Sequence, residues 1–225
     1  MSEANPQLIH VSDDDAVGFI CISSKDFFKQ VVANFDSASC STSFVDTTVD
    51  KILRKTIDSI HPSLLPRGWK TDKPPYFHVQ TVGHVAGVDE YVPGSAALPN
   101  SDSLTVSRDP ELWGDLATKV LGVSIHPKYG GWYAYRMLIV VDGLRWPAAI
   151  PKSEPVKFLS DAERELIISE YNRNADLCRW RDFNDKQFGL ERYDPAQYAF
   201  FTERSIQKRR RILELLKAEL IDLVK

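Results

Sequence analysis

Cysteine is scarce in this chain. Cys21, Cys40 and Cys178 are its three thiols, too few and too scattered for a disulfide framework or a zinc site. That scarcity fits a reducing compartment. Long apolar runs are missing too. Ala16–Ile22 and Met137–Val141 are the longest, far short of the roughly 20 residues a membrane-spanning helix needs. Residues 1–15 are polar and acidic, without the basic and apolar regions of a signal peptide, so the expectation is a soluble chain of the cytoplasm. Charge of one sign is also lacking. A net charge of −3 gives no reason to expect nucleic acid or a membrane surface as a partner.

Several enzyme signatures are absent. There is no GxGxxG, no GxxxxGK[ST], no GxSxG and no HExxH, and no internal repeat. His10, His61, His78, His84 and His126 have no spacing, among themselves or with cysteine, that makes a zinc site. His84 and His126 sit in glycine-flanked segments and read as hydrogen-bonding turn residues rather than ligands. No metal site is assigned.

What is present suits an ordinary globular protein, 43% hydrophobic and 26% charged over 225 residues. That length fits one domain over 1–225, with 160–225 a mostly helical part packed on a sheet. Ala16–Ser23 is a continuous apolar run, expected as a strand buried on both faces. Ser24 is a plausible N-cap for a helix carrying Phe27, Phe28, Val31, Val32 and Phe35. A second helix is expected from Thr47, ending at His61-Pro62. Pro62–Pro75 reads as a surface loop, and Tyr76–Val82 as an extended segment leading into GHVAG. Pro93–Pro110 reads as a long loop of the kind that serves as a lid, before a short helix starting at Asp109-Pro110. Ser160 with Glu163 forms a capping box, and Asp194-Pro195 starts another helix. Strands early and helices late predict an α+β fold with a largely antiparallel sheet.

The densest stretch is Gly122–Arg136, GVSIHPKYGGWYAYR. It reads as a β-hairpin, with strands Val120–Ile125 and Trp132–Val141 joined by a Pro127–Gly131 turn. Strand alternation would set Tyr133 and Tyr135 on one face, and Trp132, Ala134 and Arg136 on the other. Arg136, Arg181 and the Lys208/Arg209 pair neighbour aromatics or helix starts. Guanidinium forks grip carboxylates in pairs of hydrogen bonds, so three such groups would suit a small peptide or a dicarboxylate. The Lys208–Arg211 run near a helix start opposes the helix dipole and is either a solvated face or an anion site.

Four stretches together resemble one family: Gln80–Gly87 (QTVGHVAG), Gly122–Arg136, Tyr171–Asp182 (YNRNADLCRWRD) and Glu191–Thr202 (ERYDPAQYAFFT). They are similar to the cytosolic cobalamin-processing proteins of the CblC type, which decyanate cyanocobalamin and dealkylate alkylcobalamins. The resemblance runs from about Gln80 to the final helix, and members begin further upstream than this chain does. It implies a nitroreductase-like α+β sandwich in which cobalamin sits base-off as substrate and cargo. It also implies glutathione as co-substrate, FMN or FAD as a possible reductant, and a downstream CblD-type adapter as partner. Cobalamin contacts then fall on Phe77, His78, Val79, Gln80, Tyr91, Ser124 and Tyr135, with Tyr193 as a pocket wall. Glutathione contacts fall on Arg136, Arg181 and Lys208 or Arg209, the first two positioning the thiol for reaction.

Three positions depart from the family pattern. Val92-Pro93 stand where a glutamine near cobalt is expected, Leu121 replaces a serine, and the third base is either Lys208 or Arg209. The cobalt's upper face is therefore expected to be more open. Two other functions compete, a flavin reductase of the nitroreductase superfamily and a cobalamin carrier without catalysis. On this reading Tyr135 and Arg136 serve different ligands, and the hairpin divides two binding sites.

Overall fold

The computed structural model describes residues 16–23, 25–36, 44–60, 64–67, 79–94, 106, 108, 114–148, 154–174, 178–183, 191–203 and 205–222. Two compact units emerge, one drawn from residues 1–77, 134–148 and 192–225, the other from 78–133 and 149–191. Both mix helix with antiparallel strands, as the α+β expectation holds.

The first unit is built on β5 (Ala134–Arg145), which pairs antiparallel with β1 (Ala16–Ser23) on one side and β2 (Leu64–Arg67) on the other. The order β1-β5-β2 leaves β1 at an end of this sheet, so Gly18 and Phe19 are exposed and the expected burial on both faces does not occur. Strand β2 lies inside the stretch expected to be loop. Its Pro66 misled the reading, yet proline is tolerated on an outer strand, where its missing N–H need not join a ladder. Four helices complete this unit: α1 (Phe27–Ala33), α2 (Phe44–Ile60), α5 (Pro195–Thr202) and α6 (Ile206–Asp222). Helix α2 starts before Thr47, and α1 has Asp26 at its N-cap position without a side-chain capping bond; Ser24, the expected cap, lies outside the described residues. Phe28, Val31, Val32, Phe35, Val49, Phe200 and Leu213 form its core, each contributing about 1.5–3 kcal/mol by burial.

The second unit holds α3 (Val79–Val85), β3 (Glu90–Val92), β4 (Val123–Ile125), α4 (Asp161–Arg173) and short 3-10 turns at Gly114–Leu116 and Arg179–Asp182. Val92, Val123, Ile125, Leu159, Ile167, Ile168 and Trp180 make a separate core. Helix α4 carries the expected capping box, with Glu163 N–H donating to Ser160 Oγ and Glu163 Oε2 accepting from Ser160 N–H. The Asp109-Pro110 start lies outside the described residues.

Two expectations fail here. Val79–Val82, expected as part of an extended Tyr76–Val82, instead opens helix α3, and residues 76–78 lie outside the described residues. The helix closes in a Schellman turn: Gly87 N–H donates to His84 O, Val88 N–H to Gly83 O, and Gly87 takes φ 71°. HVAG is thus a helix end, with glycine where the left-handed conformation is needed. The central hairpin also dissolves. β4 pairs with β3, whereas β5 pairs with β1 and β2, and only His126 and Gly130 bond across the turn. The chain leaves one sheet and enters another, so Tyr133 precedes β5 and shares no strand face with Tyr135.

Candidate functional site

The predicted residues fall into two sets, one in each unit. In the second unit, Tyr91 and Ser124 are directly opposite across the β3–β4 pair. Gly122 has no side chain where a Cβ would stand 2.7 Å from Tyr91 Cζ, so the glycine makes room for this phenol. Burial raises the Tyr91 pKa. Val79 and Gln80 are half-buried on α3, which packs on β3 and β4. Phe77 and His78 lie outside the described residues. His84 Nδ1 stands 3.1 Å from Asp89 O and 3.2 Å from the Tyr91 amide, pinning the end of α3 to the start of β3.

The turn beside this ribbon is packed from both sides. Gly130 takes φ 55° and supplies the turn itself. Gly131 has a different reason, because a Cβ there would meet the Trp180 ring at 2.6 Å and Arg181 Cα at 2.9 Å. Its N–H donates to Arg181 O, and Arg181 returns a hydrogen bond to Gly131 O. The Arg181 guanidinium lies over the Trp180 and Trp132 rings at 4.5 and 5.6 Å, a cation–π stack. Trp132 Nε1 donates to Asp182 Oδ1 at 2.9 Å. His126 is a turn residue, as expected: its Nδ1 accepts from the amides of Lys128 and Tyr129. Burial, with the Lys128 charge beside it, lowers its pKa to about 4.

Arg136, Tyr135, Tyr193, Lys208 and Arg209 belong to the first unit. The β1–β5 register skips between Cys21↔Met137 and Ile22↔Tyr135, so Arg136 is the extra residue of a β-bulge. Bulges re-aim side chains. Arg136 Nε donates to Ser23 Oγ at 2.6 Å, and its guanidinium lies 5.6 Å from the Phe27 ring centre. Arg209 stands 5.7 Å from the Phe200 ring and donates to the Phe201 and Glu203 carbonyls at the end of α5. Phe27 and Phe201 pack on the same core as Phe200, and Tyr193 stacks on Phe201 at 5.6 Å. Arg136, Arg209 and Tyr193 therefore border one aromatic cluster. Lys208 is largely exposed, 3.8 Å from Glu203, while Arg210 and Arg211 pair with Glu214 at 3.2 and 3.5 Å. The basic run is thus mainly a solvated face, with Arg209 folded inward.

The sequence reading missed two carboxylates. Asp89 and Glu90 are 0% and 2% exposed. Glu90 accepts from the Phe158 and Leu159 amides and pairs with Arg164 at 2.6 Å. Asp89 accepts from the Tyr133 hydroxyl, and burial pushes its pKa to about 6 against the lowering pull of Tyr133, Ser124 and His84. Tyr133 in turn is pushed far up by burial and the facing carboxylate.

The family model for methylmalonic aciduria and homocystinuria type C matches residues 3–213. The chain belongs to that family. Among relatives of the methylmalonic aciduria and homocystinuria type C family, the chicken cyanocobalamin reductase / alkylcobalamin dealkylase is 28% identical over 200 residues, 84% of this chain and 76% of its own. The bovine protein of the same name is 31% identical over 152 residues, 66% of this chain. The match takes in only 44% of the bovine and human relatives' lengths. Among solved structures, a Caenorhabditis elegans B12-trafficking protein CblC superposes with a TM-score of 0.70 at 21% identity, covering 95% of this chain and 83% of that one, which establishes the fold. No helix among the described residues is long and apolar enough to cross a membrane.

Proposed function

We propose that this chain binds cobalamin base-off and removes its upper ligand, dealkylating alkylcobalamins with glutathione and reductively decyanating cyanocobalamin. The observation that carries this reading is the family match over residues 3–213, with relatives named for both reactions. The nitroreductase-like sandwich and a cytoplasmic setting belong to the same proposal.

On this reading the corrin rests against α3 and the β3–β4 ribbon, through Val79, Gln80, Tyr91 and Ser124, with Phe77 and His78 preceding them. The resemblance also assigns Tyr135 and Tyr193 to cobalamin, and Arg136, Arg181 and one of Lys208 and Arg209 to the two carboxylates of glutathione. The half-buried Arg209, already turned onto aromatic rings, is better suited to this than the exposed Lys208, because a fork loses less freedom per hydrogen bond formed. Nearby cations also lower a thiol's pKa and so raise the share of thiolate. The thiolate displaces the alkyl carbon from cobalt, leaving cob(I)alamin and a thioether. Decyanation draws one electron from glutathione or from reduced FMN or FAD, leaving cob(II)alamin and cyanide. The processed cobalamin then passes to a CblD-type adapter.

The test is spectroscopic. Mixing the protein with methylcobalamin should shift the visible spectrum to the base-off form, and the methyl group should be lost only after glutathione is added. An unshifted spectrum would remove cobalamin from the proposal. A shift with no change after glutathione would leave only a carrier.

A further inference from the structure

Two polar atoms are buried without a hydrogen-bond partner on the β3–β4 ribbon: Asp89 Oδ1 and Ser124 Oγ. The other Asp89 oxygen accepts from Tyr133. The Ser124 hydroxyl is close enough to favour the Asp89 anion, though no bond of ordinary geometry joins them. Charged and titratable groups facing the pair are His84 from α3, Tyr133 ahead of β5, and Arg181, whose charge acts on Tyr133. Lone buried acceptors and hydroxyls are costly, so a carboxyl and a hydroxyl left open beside each other call for a role.

We propose that Asp89 is a positioning residue whose proton decides whether Ser124 offers a ligand a donor or an acceptor. The hydrogen-bond inventory of the two groups gives the mechanism. As an anion, Asp89 can only accept, so the Ser124 O–H turns toward Oδ1 and leaves its oxygen lone pairs for a ligand. As an acid, Asp89 donates its own O–H to Ser124 Oγ, and the serine hydrogen turns outward. Only the second state serves an acceptor such as an amide carbonyl or a phosphate oxygen. The protonated state therefore gives tighter binding at lower pH. The transition is centred near pH 6, where the buried carboxyl titrates.

This inference rests on the reading that cobalamin meets Ser124. Its test is the affinity for methylcobalamin between pH 5 and 8 in the full chain, flagged by the visible spectrum. One hydrogen bond gained or lost corresponds to a change of roughly three- to tenfold. The native chain should weaken by that factor as pH rises through 6. D89N should bind tightly and evenly across the range, because its amide donates to Ser124 at every pH. S124A should bind weakly and evenly. A D89N or S124A profile that keeps the native pH dependence overturns the proposal. If the native chain binds no methylcobalamin at any pH, the functional reading falls, and the Asp89–Ser124 coupling is read alone. Carboxyl carbon NMR of the free chain should then show S124A moving the Asp89 midpoint upward, and an unmoved midpoint overturns the coupling.

Discussion

The two units handle charge in opposite ways. The core of the first is aromatic and aliphatic, and its guanidiniums, Arg136 and Arg209, lie over phenylalanine rings. In the second, carboxylates are drawn inside. All three charged side chains that are buried among the described residues, Asp89, Glu90 and Arg108, belong to it. Arg108 spends its donors on the Leu116 and Lys119 carbonyls and on Asn172 Oδ1, which also accepts from the Leu121 amide. The lesson is that the second unit is tied together by polar groups that need partners, whereas the first depends on shape and apolar area. Their responses to substitution and to pH should therefore separate.

The largest effect is expected from Glu90. Its carboxylate is held by two amides and by Arg164, so E90A leaves the Phe158 and Leu159 amides without their acceptor, while Arg164 keeps its pair with Asp161. An unmet buried donor costs about 1–3 kcal/mol, so the two together put the loss at roughly 2–5 kcal/mol. Urea unfolding should show that loss; a loss under about 1 kcal/mol, the range of an exposed ion pair, would mean that the pair is effectively solvated. G131A comes next. The new methyl group must displace the Trp180 ring and the Arg181 backbone, an overpacking of about 1–3 kcal/mol. Unchanged stability would show that the RWRD turn yields freely.

For the first unit, the comparison predicts a functional effect with little loss of stability. R136A should raise the glutathione concentration needed for demethylation by roughly 10- to 100-fold, the worth of a charge-assisted hydrogen bond. Methylcobalamin binding should be mostly retained. R136K should recover only part of the loss, because an ammonium cannot grip a carboxylate with two parallel bonds. Native glutathione kinetics in R136A would take this residue out of the anion site.

The pH response is smaller and more diagnostic. The Asp89 carboxyl rises from 3.8 unfolded to about 6 folded, so the folded chain holds that proton more tightly. Its contribution is largest below pH 4 and falls away as pH rises to 6, by roughly 2–3 kcal/mol. His126 falls from 6.5 to about 4, so the unfolded chain binds its proton more tightly. Its contribution is present above pH 6.5 and is lost as pH drops toward 4. The two slopes oppose each other over one window. The native chain should therefore have a nearly level urea midpoint between pH 4.5 and 6, D89N a midpoint that rises with pH, and H126Q one that falls. Parallel profiles in all three would contradict the assignment.

Local signals were legible in the sequence, and long-range ones were not. The Ser160–Glu163 capping box and the Asp194-Pro195 helix start came through because a few adjacent residues decide them. The helix end at HVAG was equally local, yet the segment before it was expected to be extended and the Gly87 cap was not used as a helix stop. The hairpin failed for another reason: sequence can report a tight turn but not which partner each flanking strand takes. Asp89 and Glu90 look like surface carboxylates, and only β3–β4 pairing and α4 packing bury them. Arg136 and Arg181 were singled out from residue chemistry alone, as proposed anion grips. The bulge at Arg136 and the tryptophan stack at Arg181 become visible only once the strands and turns are in place.

The most direct test of the central claim is the fate of the methyl group. Under anaerobic conditions, protein loaded with methylcobalamin and supplied with glutathione should yield S-methylglutathione by mass spectrometry, one per cobalamin demethylated, alongside the cob(I)alamin spectrum. Demethylation without the thioether, or no turnover above a glutathione-only control, would contradict the account.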